Sequence, residues 1–211
     1  MHSLLRHIHG SNDHTHAATA ATDTIPPTTG TLIHWAKRYD FVVQFMAFGQ
    51  ARRLRRKSID AAQIKPGECI LDVGCGTGDL TLLAKAQAGS TGQIYGIDAA
   101  PEMIDVARSK AARAKAEVDF RVAVIERLPF PAESFDVVLS SLMMHHLPAD
   151  LKPQALAELR RVVKPGGRLL IVDFKGQLEK QGVAALVKNA GFARIETGNL
   201  WFNTIGFVRA A

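Results

Sequence analysis

The stretch LDVGCGTGDL, residues 71–80, is the most informative segment of this chain of 211 residues. The stretch begins within a short apolar run, Cys69–Val73, that is typical of a strand. It ends within a segment of helical periodicity, Asp79–Ala88. Glycines at the alternate positions 74, 76 and 78 let the backbone turn sharply and approach a ligand closely. A strand, a glycine turn and a helix in this order place the turn at the carboxyl ends of a sheet, where α/β proteins bind ligands.

Strand-like and helix-like segments alternate beyond this turn. The other predicted strands are 93–98, 118–122, 135–142 and 168–174, with two more between Ile195 and Val208 around Gly198-Asn199. The other predicted helices cover 101–116, 151–163 and 178–190, and a helical region from Leu32 to Ala62 is interrupted at Gly49. Alternation of this kind predicts an α/β fold with a parallel sheet covered by helices on both faces. We expect a tail at residues 1–30, a helical cap at 31–66 and the main domain at 67–211.

Composition excludes several classes of protein. Hydrophobic residues make up 47% and charged residues 22%, and no apolar run reaches the roughly 18 residues of a membrane span. The net charge of +6 favours anionic partners without selecting one. The two cysteines, Cys69 and Cys75, make no disulfide framework and fit no zinc spacing. We therefore expect a cytoplasmic protein, with peripheral contact with a membrane left open.

The first thirty residues are rich in histidine, threonine and alanine, a composition typical of a disordered tail. The pair His14 and His16 has a spacing that could hold a transition metal. A solvated tail is the favoured interpretation because metal ligands need a fold to hold them. The sequence therefore predicts no metal site.

The glycine turn does not match a phosphate-binding motif. In the dinucleotide pattern that starts at Gly74 the third small residue would be Asp79, and no Gly-Lys-Ser/Thr follows for a P-loop. Asp72 and Asp79 flank the turn, and carboxylates there would repel a pyrophosphate. They suit a ligand that carries positive charge, such as S-adenosylmethionine with its ammonium and sulfonium. Asp98, which ends the second predicted strand, can accept bonds from both ribose hydroxyls.

Four segments together resemble the class I S-adenosylmethionine-dependent methyltransferases. They are LDVGCGTGDLT, YGIDAAPEMIDVARSKA, ERLPFPAESFDVVLSSLMMHHL and ELRRVVKPGGRLLIVDF, and they lie between residues 71 and 174. The upstream segment RYDFVVQFMAFGQARRLRR is similar to the opening of the ubiquinone/menaquinone C-methyltransferase (UbiE-like) group. The resemblance implies a Rossmann-like, mostly parallel seven-stranded sheet that ends in an antiparallel hairpin.

The resemblance also implies roles for individual residues. The methionine end of S-adenosylmethionine would lie against the turn and Ser141, and Asp98 would hold the ribose. Val124 and Ile125 take the positions of the family's adenine contacts, although the family commonly has Asp or Asn where this chain has Val124. The complete expected cofactor set is Asp72, Gly74, Cys75, Gly76, Thr77, Gly78, Asp98, Ala99, Met103, Val124, Ile125 and Ser141.

Methyl transfer needs alignment of the acceptor, exclusion of water and, for a hydroxyl acceptor, a base. His145 and His146 follow the fourth strand and are candidates for that base, with packing as the alternative for each. Tyr39 could close over the cofactor or pack in the core. Asp136, Glu126 and Asp173 are predicted to be mainly structural, and Cys69 and Cys75 to be packing residues. The scarcity of thiols counts against arsenite methylation.

A basic run, Arg52 to Lys57, precedes the first strand. It is typical of a solvated helix face, and with Phe45, Met46 and Phe48 it could instead contact anionic lipid. Nothing in the sequence favours RNA, since no aromatic residues are interleaved for base stacking. The expected activity is methyl transfer to a small organic acceptor at O, N or C. Two alternatives are a membrane-surface enzyme acting on a phospholipid headgroup or quinone precursor, and a non-enzymatic subunit that binds the cofactor.

Overall fold

A computed structural model describes residues 50–211 of the chain. Its elements are, in chain order, α1 Ala51–Ala62, β1 Cys69–Val73, α2 Asp79–Ala88, β2 Gln93–Asp98, α3 Pro101–Ala114, β3 Asp119–Val122, β4 Phe135–Ser141, a 3-10 turn Met144–His146, α4 Lys152–Val162, β5 Val163–Phe174, α5 Lys175–Lys180, α6 Val183–Asn189, β6 Ile195–Trp201 and β7 Ile205–Ala210. The expectations for residues 1–49 lie outside the described residues. They concern the histidine-containing tail, Tyr39, Phe45, Met46, Phe48 and the break at Gly49.

The seven strands form one sheet in the order β3-β2-β1-β4-β5-β7-β6. The first five strands run parallel, and β7 pairs antiparallel with both β5 and β6. The predicted α/β fold with a terminal antiparallel hairpin is therefore confirmed. The carboxyl ends of the parallel strands, the β6 end and the β6–β7 turn all lie at the same edge of the sheet.

Both faces of the sheet are covered because the central strands are apolar on both sides. On one face, Ile70 and Leu139 pack against α1 and α2 residues such as Ile59 and Ala84. On the other, alternate strand residues pack against α4 and α6, where Leu156 and Val187 are fully buried. Every residue of β1 after Cys69 is buried, as expected of a central parallel strand. Among residues 50–211, no helix is both long and apolar enough to cross a bilayer.

Three predicted boundaries were wrong. The segment 178–190 is two short helices, α5 and α6, because the chain turns at Gly182 with a left-handed φ of +58°. Strand β5 begins at Val163 and passes through an irregularity in its pairing with β4 before Arg168. The last hairpin turns at Phe202 and Asn203 rather than at Gly198-Asn199.

Gly198 lies inside β6 and not in the turn that the sequence predicts at this position. A methyl group there would lie 2.5 Å from Cε1 of Phe207, its partner in the β6–β7 register. The ring therefore occupies the space that a side chain would need. A glycine that makes room for a cross-strand ring cannot be distinguished by sequence alone from a turn glycine.

Candidate active site

The glycine turn, residues 74–78, connects β1 to α2 and is held against β2. The backbone N–H groups of Gly74 and Cys75 both donate to the carbonyl oxygen of Ile97 at 2.9 Å. All three glycines of the turn have left-handed φ values, +71°, +54° and +82° for Gly74, Gly76 and Gly78. A side chain at Gly78 would lie 2.9 Å from Cβ of Ala107 and from the Phe120 ring. The turn thus needs glycine for its dihedral angles and for close packing onto α3.

Asp98 joins this turn to the start of α3. One carboxylate oxygen accepts the N–H of Gly76 at 2.9 Å, and the other accepts the N–H of Ala100 at 2.9 Å. Burial raises the pKa of Asp98, while these backbone donors act to lower it. A carboxylate has about four acceptor positions, so lone pairs remain for ligand hydroxyls.

Asp72 lies beneath the turn and is 1% exposed. Its carboxylate accepts the hydroxyl proton of Thr81 at 2.7 Å. Burial raises the pKa of Asp72 to about 7, and the nearby charge of Asp98 acts in the same direction. Two desolvated carboxylates at one turn favour a cationic ligand with hydroxyl donors and disfavour a phosphate. The residues present therefore fit S-adenosylmethionine.

Asp79, the second flanking acid, has a different position from the one expected. Its carboxylate forms ion pairs with Arg55 of α1 at 3.1 Å and with Lys110 of α3 at 2.6 Å. Lys110 also donates to the hydroxyl of Thr77 at 2.9 Å. Two cations already balance Asp79, so its charge ties three helices together.

Cys75 points away from the open side of the turn. Its side chain packs with Ile104, Ala107 and Phe120, and burial raises the pKa of its thiol well above the usual value. A buried protonated thiol is a packing group. Cys69 is only partly buried, and its backbone N–H donates to Asp136 at 2.8 Å.

The other expected cofactor residues lie at the same edge of the sheet. Met103 in α3 is 2% exposed, and Val124 and Ile125, in the loop after β3, are 7% and 6% exposed. Ala99 lies between Asp98 and α3, and Ser141 ends β4 opposite Val172. The structure thus brings these positions together around the glycine turn.

The segment after β4 lies across the glycine turn. Leu142 has a left-handed φ of +54°, which is rare for a branched side chain, and its N–H donates to Val172 at 2.7 Å. This bend turns the chain so that Met143 covers Gly74. A methyl group at Gly74 would lie 2.4 Å from Cγ of Met143. His145 follows two residues further on, in the 3-10 turn Met144–His146.

His145 is oriented by the end of β5. Its Nδ1 lies 2.8 Å from one carboxylate oxygen of Asp173, and its backbone N–H donates to the other at 3.0 Å. Asp173 is 1% exposed, whereas the His145 side chain retains 20% exposure. A carboxylate oxygen at this distance suits an Nδ1–H donor, and in that tautomer Nε2 is the ring nitrogen that carries the lone pair.

Two neighbours support this histidine. The His146 ring lies 4.0 Å from that of His145, centroid to centroid. Burial lowers the pKa of His146, and a proton on His145 would lower it further. Lys152 is 2% exposed and donates to the carbonyl of Leu147, just after the 3-10 turn. Burial lowers the pKa of Lys152. Lys152 thus anchors the residue that follows the 3-10 turn.

The sequence reasoning missed Asp173 as a partner of His145. The sequence predicts a mainly structural role for Asp173. In the structure Asp173 lies at the carboxyl end of β5, and β5 is the neighbour of β4, the strand that precedes His145. Parallel neighbours bring their carboxyl ends together, and that adjacency was a usable signal. Asp136 is structural as expected, since it pairs with Lys164 at 2.9 Å.

Residues 70–167 match the family model described as a methyltransferase domain. The demethylmenaquinone methyltransferase of Thermus thermophilus is 39% identical over 160 residues, which are 76% of this chain and 70% of that protein. The chain belongs to the class I S-adenosylmethionine-dependent methyltransferases. This methyltransferase uses S-adenosylmethionine as its cofactor.

Further similarities agree with this family. The ubiquinone/menaquinone biosynthesis C-methyltransferase UbiE of Marinomonas is 37% identical over 141 residues, 66% of this chain and 55% of that protein. The methyltransferase therefore spans little more than half the length of that relative. An S-adenosylmethionine-dependent methyltransferase structure from Aquifex aeolicus shares the fold, with a TM-score of 0.69, 23% identity and coverage of 83% of this chain and 95% of that one.

Proposed function

We propose that this methyltransferase methylates a ring carbon of a quinone precursor. The relatives with 37% and 39% identity are named for ubiquinone/menaquinone biosynthesis and demethylmenaquinone methylation, which supports this acceptor class. The observation that carries the chemistry is the pair His145–Asp173, which lies at the carboxyl ends of β4 and β5, on the sheet edge that carries the glycine turn.

We assign cofactor binding to the twelve residues set out above, with Cys75 acting through its backbone alone because its thiol packs against Ile104 and Phe120. Asp98 holds the ribose hydroxyls, and Asp72 attracts the ammonium group. The glycine turn allows the methionine end to approach the backbone. S-adenosylmethionine supplies an electrophilic methyl group when bound.

In this proposal His145 is the base. Its Nε2 takes the proton of the acceptor's phenolic hydroxyl, and the resulting phenolate makes the adjacent ring carbon nucleophilic. That carbon forms the new bond to the methyl group as the carbon–sulfur bond breaks, with the demethylated cofactor as the leaving group. The ring carbon then loses its proton to solvent, and the imidazolium of His145 returns its proton to the phenolic oxygen. Asp173 keeps Nδ1 protonated and stabilises the imidazolium. His146 packs against the base, and Tyr39 remains a candidate for closing over the cofactor.

We infer that residues 31–66 form a cap on the domain at 67–211. The packing of α1 against α2, β5 and β6 supports this division. Because α5 follows β5 directly, the cap is the element available to cover the acceptor. We also propose that Arg52–Lys57 makes peripheral contact with an anionic membrane. A lipid-like acceptor would reside in that membrane.

The test is a transfer assay with radiolabelled S-adenosylmethionine and the full chain. A prenylated naphthohydroquinone lacking the ring methyl, a phosphatidylethanolamine and a small soluble catechol serve as separate acceptors. We expect label in the naphthohydroquinone and its loss in His145→Ala, by about a hundredfold or more. Label in the phospholipid or the catechol alone would replace the proposed acceptor. No label in any acceptor, with S-adenosylhomocysteine still bound, would support a non-enzymatic role.

A further inference from the structure

The described part of the chain exposes one large apolar side chain almost completely. Phe202, at the β6–β7 turn, is 80% exposed, and the next in rank, Phe174, is 39% exposed. Phe202 and Asn203 both have left-handed φ values, +36° and +58°. A left-handed backbone costs a non-glycine residue about 1 kcal/mol. Left-handed values at both central residues are the backbone geometry that favours a β-hairpin turn, so the turn itself accounts for them. The exposure of the Phe202 ring, in contrast, does not help the chain to fold, so this ring points to a partner surface.

The turn is held in place. Lys175 donates its backbone N–H to the carbonyl of Thr204 at 2.8 Å and its Nζ to Oδ1 of Asn203 at 2.6 Å. The Trp201 ring packs edge-on against Phe202 with centroids 5.0 Å apart. The aromatic pair is therefore presented from a fixed support.

Two cations of α1 lie over one ring of this aromatic pair. Arg53 and Lys57 of α1 lie over the Trp201 ring, each 5.6 Å from its centroid, and Nζ of Lys57 also donates to the carbonyl of Leu200 at 3.0 Å. Arg52 and Arg56 are exposed on the same helix. Arg55, in contrast, is committed to Asp79. We define the basic–aromatic surface as Arg52, Arg53, Arg56, Lys57, Trp201 and Phe202.

This surface lies at the edge of the sheet that carries the active site. Phe174, Ile205 and Trp201 are direct partners on β5, β7 and β6, so about 10 Å separates Phe174 from Trp201 at the spacing of neighbouring strands. The Phe174 ring in turn packs edge-on against His145 at 5.2 Å. A flat surface that receives Phe202 would lie beside the site.

We propose that the basic–aromatic surface docks this methyltransferase on an anionic phospholipid bilayer, with Phe202 inserted at the interface and the active site held next to the membrane. Charge complementarity selects the occupant: four exposed cations attract anionic headgroups, and the exposed Phe202 ring beside the half-buried Trp201 suits the headgroup boundary. The benefit to catalysis, direct access to an acceptor dissolved in the bilayer, rests on the proposed function.

The experiment is flotation of the full chain with vesicles of phosphatidylcholine alone or mixed with phosphatidylserine. The wild type should float with the anionic vesicles and be released by salt. The pair Arg52→Ala/Arg56→Ala should lower partitioning by roughly tenfold to thirtyfold, and Phe202→Ser by about tenfold. The matched control is Lys188→Ala/Arg194→Ala, which removes two exposed cations away from the surface and should float like the wild type.

The same variants separate docking from catalysis. With the acceptor in detergent, Arg52→Ala/Arg56→Ala and Phe202→Ser should keep wild-type rates, whereas with the acceptor in anionic vesicles their rates should fall with partitioning. A wild type that does not float, or surface variants that float like it, would overturn the docking proposal. If the wild type floats but does not methylate the naphthohydroquinone, the proposed function would be overturned and the docking proposal would stand.

Discussion

Asp173 and His145, which are 28 residues apart in the chain, meet at the carboxyl ends of adjacent parallel strands with Nδ1 and Oδ1 2.8 Å apart. The same carboxylate also accepts the backbone N–H groups of His145 and Phe174. One buried carboxylate therefore determines the position and orientation of the candidate base.

Replacing Asp173 by Asn should impair methyl transfer more than folding. An amide can donate to Nδ1, which moves the imidazole proton to Nε2 and removes the lone pair needed by a base. We expect kcat to fall by about a hundredfold and the affinity for S-adenosylhomocysteine, measured by titration calorimetry, to be retained. Asp136→Asn, which alters an ion pair at the opposite edge, should keep kcat. Wild-type turnover in Asp173→Asn would rule out the orienting role.

Asp98 should contribute to both cofactor binding and stability. Removal of an acceptor for the ribose hydroxyls should weaken S-adenosylhomocysteine binding by about tenfold or more in Asp98→Ala and Asp98→Asn. The alanine variant also leaves the N–H groups of Gly76 and Ala100 unpaired, so its melting temperature should be the lower of the two. Asp119→Ala, on the exposed edge strand, serves as the control. Undiminished affinity in both Asp98 variants would contradict the ribose role.

The pH dependence of cofactor binding should depend on Asp72. Since burial raises its pKa to about 7, the carboxyl is largely protonated below that pH. A cationic ligand favours the ionised form, so affinity should rise with pH, by about tenfold between pH 6 and pH 8, with release of a proton. Calorimetry in buffers of different ionisation enthalpy measures that proton. Asp72→Asn should remove the dependence, and an unchanged slope in that variant would assign it to another group.

Asp72 should also affect the stability of the free protein. Its folded pKa lies above the ordinary value near 3.8, so the unfolded state binds fewer protons between about pH 4 and pH 7. This contribution to stability is therefore present at low pH and is lost as pH rises through that window. Urea titrations of the wild type and Asp72→Asn should diverge there, with the variant gaining relative stability toward pH 7.

Gly74→Ala should lower the free energy of unfolding more than Gly89→Ala does, although the two glycines have similar φ values. Gly89 has a φ of +75° and open space within 4 Å of the position that an alanine methyl group would take, whereas Gly74 at +71° has Met143 at 2.4 Å. Gly89→Ala should cost about 1 kcal/mol in urea unfolding, and Gly74→Ala about 1–3 kcal/mol more. Equal costs would show that Met143 moves aside freely.

Local patterns predicted most elements of the described chain. The strands Cys69–Val73 and Gln93–Asp98 and the helix Asp79–Ala88 have the bounds expected from apolar runs, a glycine turn and helical periodicity. These signals are short in range, since a central strand must be apolar on both sides and a tight turn needs glycine. The boundaries around Gly182 and Gly198 were missed because the role of each glycine depends on its spatial neighbours.

Sequence alone established the cofactor class, because the glycine turn and its acids are contiguous or separated by one strand and one helix. Tertiary structure decided how those acids are used: Asp79 is balanced by Arg55 and Lys110, whereas Asp72 is buried. It also brought Asp173 to His145 and Trp201 to α1. These contacts join segments that lie far apart in the chain, and they form only when the sheet and its helices pack. The sequence of any single segment therefore does not reveal them.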